Sequence, residues 1–224
     1  MSRTSNRPHL VWGWSGTLAD DVHSQVGAVN AALASLNAPR VGLDTVRRHF
    51  ATSAPALCAG ILGRALTHRE RTRVSMAFET YHSRRPPAPL MPGSKDLMTR
   101  LSRSGCSHSV LSLTSHSRLT QHVASLGIVS LFLQVDGRTG PSARSKMQPL
   151  RKHVEMLRQS IGDRPIVLVG DAVDDVRAAL ANHVHPVPYA GGLTHPDTLG
   201  RQGVPVAETL AEAAALAVAH AHAP

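Results

Sequence analysis

Apolar and polar positions alternate along this chain with two different periods, and the change of period marks the elements. A short apolar run from Leu10 to Trp14 ends in Gly16-Thr17, and from Val22 the apolar positions Val22, Val26, Val29, Leu33 and Leu36 recur at helical spacing. This predicts a strand, a turn and a helix. Residues 22–85 read as wholly helical, with breaks near Pro39 and Pro55. Thr67 is placed to cap a helix running through Tyr81, because Glu70 three residues later completes a capping box. The run Arg84-Arg85-Pro86-Pro87-Ala88-Pro89 ends that block.

Beyond Pro92-Gly93 the pattern predicts helix 94–104, strand 108–113, helix 117–126, strand 131–135, helix 146–159, strand 166–169 and helix 174–182. Near the end, Leu210, Ala214, Leu216 and Val218 give one amphipathic helix before a frayed His220-Ala221-His222 tail. Repeated strand-helix units mean a parallel sheet covered on both faces. The fold class expected is therefore α/β: a Rossmann-like core from residues 1–20 and 88–224, interrupted after its first strand by an α-helical cap, residues 21–87.

Composition narrows the class further. With 224 residues, 42% apolar and 17% charged, the chain has the make-up of a globular protein with a self-sufficient core. Its amino terminus lacks a signal-peptide pattern and no run approaches a membrane span, so a soluble cytoplasmic protein without membrane contact is expected. Cys58 and Cys106 are too few for a disulfide framework and read as buried small hydrophobes in a reducing compartment. The formal charge of +9 raises a nucleic acid or an anionic small molecule as partner. Basic residues are scattered and aromatics are only 3% of the chain, which argues against specific nucleic-acid binding. Between residues 21 and 90 stand nine arginines against four acids; they suit a cationic lid, and equally a solvated helix face.

In an open parallel sheet, ligands collect beyond the carboxyl ends of the strands. The informative places are then Gly13-Trp14-Ser15-Gly16-Thr17-Leu18-Ala19-Asp20, Ser112, Lys146 and Gly170-Asp171-Ala172-Val173-Asp174-Asp175. Read alone, the last is a strand-to-helix turn with Asp171 or Asp174 as the N-cap. Ser112 competes with Thr114 and Ser115, but follows the apolar strand directly. Lys146 is one of only three lysines among 24 basic residues, which hints that its ammonium is used. Of the histidines, His116 alone lies near enough to these segments to watch.

Taken in order, these segments resemble the haloacid dehalogenase (HAD) superfamily, specifically its phosphoglycolate-phosphatase-like members with an inserted helical cap. The resemblance rests on Thr17-Leu18-x-Asp20, Pro92-Gly93 leading through Leu97 and Leu101 to Gly105, Ser112 with Gly127 fifteen residues on, Lys146, and Gly170-Asp171-x-x-x-Asp175 followed by Ala178-Ala179. It implies a phosphate cradle of Thr17, Ser112 and Lys146, and Mg²⁺ facing Asp171 and Asp175. The family's first motif also carries a nucleophilic Asp and an acid/base Asp, and here those catalytic places hold Gly13 and Ser15. A hydrogen atom is no nucleophile, and a serine hydroxyl is a poor proton donor.

The i, i+2 spacing aims Gly13 and Ser15 at the substrate side, with Trp12 and Trp14 turned away. Asp20 and Asp21 lie too far along the chain to replace a carboxylate at Gly13. The sequence therefore implies a pseudophosphatase: a capped pocket for a phosphorylated small molecule or other small anion, or a regulator with a protein partner, with Mg²⁺ bound weakly or not at all. The alternatives are an active Mg²⁺-dependent phosphatase with an atypical site, and an isomerase or lyase acting on a phosphorylated metabolite.

Overall fold

The computed structural model describes residues 7–140 and 145–221. Five parallel strands form one sheet: β1 (His9–Trp12), β2 (Ser107–Ser115), β3 (Gln134–Arg138), β4 (Ile166–Gly170) and β5 (His185–Pro188), in the spatial order β3-β2-β1-β4-β5. β1 is central, pairing Trp12 with Val110 on one side and Val169 on the other. Its four residues are all buried, as a strand covered on both faces requires.

Alternation along β1 splits the core in two. Leu10 and Trp12 join Val110, Val167 and Val169 under α5 (Ser94–Arg103), α6 (His116–Ser125) and the C-terminal helix Leu210–His220. Val11 faces the other way, joining Leu111 and Leu168 under α7 (Met147–Ile161) and α8 (Val173–Ala181). The indoles of Trp12 and Trp14 donate to His108 Nδ1 at 3.1 Å and His122 Nδ1 at 3.2 Å, so both tryptophans are buried with their N–H groups satisfied.

Between β1 and β2 the chain leaves the sheet, and α1 (Val22–Ala34), α2 (Leu43–Arg48), α3 (Ala54–Leu62) and α4 (His68–Ser83) pack around their own cluster of Val22, Val29, Leu33, Val46, Leu57 and Val74. The way out and the way back lie side by side, tied by Asp20 N–H to Pro89 O at 2.9 Å and Met91 N–H to Leu18 O at 2.8 Å. Thr67 and Glu70 form the expected capping box, and the helix runs on to Ser83. Pro39 falls in a connection, but Pro55 opens α3 in its first turn, where its missing N–H is harmless.

Three expectations need correction. The strand expected at 131–135 is Gln134–Arg138, because Val129–Leu131 form a 3₁₀ turn and it is Gln134 that pairs with Ser109. The expected first strand stops at Trp12, since beyond it the chain turns. β5 and the short helix α9 (Pro196–Gly200) lie in a segment read as having no element. His220 closes the last helix, α10 (Leu210–His220), with its ring stacked on His185 at 3.5 Å; His222 lies outside the described residues.

The interface of the sheet with α7 holds a polar chain. Ser107 Oγ and Ser109 Oγ each lie 2.8 Å from a His9 ring nitrogen, Ser109 Oγ also lies 2.8 Å from His153 Nε2, and His153 Nδ1 lies 2.7 Å from Asp136 Oδ2. The Asp136 carboxylate fixes the order of donors: His153 Nδ1–H donates to it, Ser109 donates to His153, His9 Nε2–H to Ser109, and Ser107 to His9. Each of these hydroxyls and ring nitrogens is thereby partnered in one direction.

Candidate active site

Four connections at the carboxyl edge of the sheet carry the residues singled out above. The first begins where Gly13 N–H donates to Val169 O at 2.7 Å, fixing the end of β1 to β4. A tight turn follows, with Thr17 N–H and Ala19 N–H both reaching Trp14 O, at 3.1 and 2.9 Å. Gly16 sits in this turn at φ +71°, and a Cβ there would lie 2.4 Å from Asp171 Oδ2, so only glycine fits. Thr17, fully buried, donates its hydroxyl to Asp171 Oδ1 at 3.1 Å. A Cβ on Gly13 would come within 2.9 Å of the same Thr17 Oγ1, so Thr17 crowds the space a side chain there would enter.

Asp171 and Asp175 are 5% and 2% exposed and Lys146 is 9% exposed, which makes this a buried charge cluster. Lys146 Nζ lies 2.6 Å from Asp175 Oδ1, an ion pair at contact distance whose angles fall short of an aligned hydrogen bond. Burial works against the ammonium, yet the facing Asp175 carboxylate outweighs it and holds the Lys146 pKa above the ordinary lysine value. Asp171 is pushed up to about 6, first by burial and then by the neighbouring Asp175 charge. The Leu193 N–H, donating to Asp171 Oδ2 at 2.8 Å, and Lys146 oppose that rise; Asp21 adds to it.

Neither Asp171 nor Asp174 caps α8. Ala172 holds the N-cap position and Asp175 reaches back to its N–H at 3.1 Å, while Asp174 accepts from Lys146 N–H at 2.6 Å and so seats the start of α7. The structure thus joins Thr17 to Asp171 and Lys146 to Asp175 directly. Ser112 does not follow the strand as expected but lies buried inside β2, which runs on to Ser115; two residues past the Trp12-paired Val110, its Oγ accepts from Thr114 N–H at 3.1 Å, leaving its own proton to give. His116 is spent on structure: its Nδ1 accepts from Gly137 N–H at 3.3 Å.

A covered parallel sheet with this residue order has clear counterparts. The sequence pattern of the haloacid dehalogenase-like hydrolases matches residues 9–183. The chain belongs to that family. It is 26% identical over 209 residues to phosphoglycolate phosphatase 1 of Pseudomonas aeruginosa, covering 90% of this chain and 74% of that one. It is 24% identical over 206 residues to a phosphoglycolate phosphatase of Pseudomonas syringae pv. tomato, covering 89% and 72%. Among solved structures, a haloacid dehalogenase-like family protein of Streptococcus pneumoniae superposes with a TM-score of 0.75 at 18% identity, covering 96% of this chain and 99% of that one. Protein Tyrosine Kinase A of Mycobacterium tuberculosis superposes equally well, at 0.75 with 22% identity and coverage of 94% and 98%. At such identities the structures speak to the haloacid dehalogenase-like fold, which serves more than one activity.

Family membership raises Mg²⁺ as the implied ion, and the donor set here does not suit it. Both Asp171 oxygens already accept hydrogen bonds, Asp175 is paired with Lys146 and Ala172 N–H, and Gly13 contributes no carboxylate. Among the described residues, no group of three or more His, Cys, Asp or Glu side chains gathers where a metal would sit. Mg²⁺ wants an octahedron of free oxygens, which these side chains as they are paired do not offer.

Sequence reasoning missed Arg47 in this haloacid dehalogenase-like site and weighed Asp21 only as a substitute at Gly13. Arg47 of α2 donates to Gly192 O at 2.9 Å and Gly191 O at 3.2 Å, while His195 N–H donates back to Arg47 O at 3.3 Å. This fastens the helices to the very loop whose Leu193 N–H holds Asp171. Asp21 turns back to accept from Ser15 Oγ at 2.5 Å and Gly16 N–H at 2.8 Å. No spacing in the sequence announces either contact; an Asp heading a helix reads as its cap.

Proposed function

We propose that this haloacid dehalogenase-like protein binds a phosphorylated small molecule, or another small anion, without turning it over at a phosphatase's rate. One observation carries the reading: position 13 has no side chain, and Thr17 Oγ1 crowds the space a Cβ would open onto. Deleting the nucleophile from a covalent mechanism lowers turnover on the order of 10⁶-fold. The donors for the anion are Ser112 Oγ–H and the Lys146 ammonium; Thr17 joins them only by turning its hydroxyl away from Asp171, and Asp171 and Asp175 hold the places the family uses for metal.

Helices α1–α4, within residues 21–87, act in this reading as the cap that selects the ligand, and the core comprises residues 1–20 and 88–224. Mg²⁺ is bound weakly or not at all in this reading. Among the described residues no helix is long and apolar enough to cross a membrane, and Cys58 and Cys106 are free and buried; both suit work in the cytoplasm. A ligand-dependent protein partner fits the same reading. The experiment is phosphate release from a panel of phosphate monoesters with Mg²⁺, beside binding of inorganic phosphate by calorimetry. Binding with negligible release is expected. Release by the unaltered chain that disappears in Asp171→Asn would overturn the proposal.

A further inference from the structure

Ser15 holds the place of the family's acid/base carboxylate, and a carboxylate is nevertheless there, delivered by another residue. Asp21 stands at the N-cap of α1, where an Asp side chain ordinarily accepts from the first turn of the helix. It makes no such bond. Its carboxylate turns back instead and accepts from Ser15 Oγ–H at 2.5 Å, Gly16 N–H at 2.8 Å and Gln25 Nε2–H at 2.9 Å. Gln25 also donates to Ser15 Oγ, at 2.8 Å. All three side chains are half-buried, so protons and water reach them, whereas Asp171 behind Gly16 is closed off. The charge of Asp21 is felt inside the site, where it helps to raise the Asp171 carboxyl.

We infer that Ser15 and Asp21 form a proton relay, so that the acid/base half of the family's machinery survives in this chain and only the nucleophile is gone. The inference rests on the proposed function, since it assumes a phosphoryl group in this pocket. With a carboxylate placed at position 13, that group attacks phosphorus and the ester P–O bond breaks, while the Ser15 proton passes to the departing oxygen and the proton held by Asp21 passes to Ser15. Water entering where the alcohol left then attacks the acyl-phosphate: its proton passes to Ser15 Oγ, the Ser15 proton passes to Asp21 Oδ2, and the P–O bond to the carboxylate breaks. The sum is one water consumed, one alcohol and one phosphate formed, with no redox step. Gln25 is a positioning residue that holds both oxygens of the relay in register.

The test uses the full chain with p-nitrophenyl phosphate and Mg²⁺. The expected result is that Gly13→Asp alone switches hydrolysis on, with no change at Ser15. In that background Asp21→Asn and Ser15→Ala should each lower kcat by about 10²- to 10⁴-fold, the usual weight of general acid–base catalysis, with KM little changed. Asp21→Asn should also let an acyl-phosphate adduct at position 13 accumulate in mass spectra, because its hydrolysis needs the relay; a merely structural brace would not produce it. Adding Ser15→Asp to Gly13→Asp should reduce turnover, since two carboxylates would then meet where one hydrogen bond now stands.

Three results would overturn the relay: Asp21→Asn leaving the Gly13→Asp rate intact, only the Gly13→Asp/Ser15→Asp pair being active, or Gly13→Asp folding normally yet staying silent. If crowding by Thr17 unfolds Gly13→Asp, the same series in Thr17→Ser keeps the hydroxyl and frees its rotation. Turnover by the unaltered chain is a separate outcome that defeats the proposed function, and Asp21→Asn in that chain then judges the relay alone.

Discussion

Removing the Lys146 ammonium tests whether the site's charges are coupled as the distances say. Lys146→Met keeps the length and apolar stem while deleting the charge that lies 2.6 Å from Asp175 Oδ1. Asp175 is then left buried beside Asp171, with no cation in contact. Breaking a buried pair by removing one partner costs roughly 3–5 kcal/mol, far above the ~0–1 kcal/mol of an exposed pair. For a chain of this size, about 2–4 °C of melting temperature per kcal/mol makes the expected fall about 6–20 °C.

The loss should depend on pH. Asp171 already sits near 6, so its burial penalty is full above that value and absent below its unfolded value near 3.8. Without Lys146 the repulsion grows, and protonation relieves more of it, so the deficit against the unaltered protein should be larger at pH 8 than at pH 5.5. Urea unfolding at both values measures this, and Asp175→Asn added to Lys146→Met should recover most of the stability. A loss under about 1 kcal/mol at pH 8, as for a surface pair, would refute the coupling argued for this cluster.

Three further outcomes follow from other parts of the structure. His9, kept neutral in the core with its pKa lowered to about 3 chiefly by burial, binds its proton first in the unfolded chain as pH falls. Stability present above about 6.5 should therefore drop between 6.5 and 3 by up to about 1.4 kcal/mol per pH unit, and His9→Gln should flatten that slope in urea titrations. Arg47→Ala should release the loop at Gly191 and Gly192, read as faster hydrogen exchange at Leu193 N–H with little change in β1 amides. Thr67→Ala should cost about 0.5–2 kcal/mol by opening the capping box of α4, and Thr67→Ser should restore most of it in thermal melts.

Elements whose signals are local could be read from the amino-acid order. Runs such as Ile166 to Val169 are apolar because both faces of that strand are covered, Thr67 and Glu70 cap a helix within four residues, and Thr17 and Asp171 announce themselves by their places just after strands. Pro186 and Pro188 hid β5, since proline argues against a strand. Only the sheet order shows that β5 is an edge, where the missing N–H groups cost nothing. The apolar stretch Leu131 to Val135 fits several strand frames, and pairing with β2 chose the one starting at Gln134.

The site divides the same way. Loss of the carboxylate at Gly13 is written in the sequence, because an absent side chain needs no context. Which groups meet around that place, and which charges neutralise one another, depends on contacts between segments as far apart as the 154 residues separating Thr17 and Asp171. Asp21 could have capped its own helix, a local bond open to any Asp at that place. In the folded chain its carboxylate goes to Ser15 instead, and a choice between two hydrogen bonds of similar worth is not legible before the chain is folded.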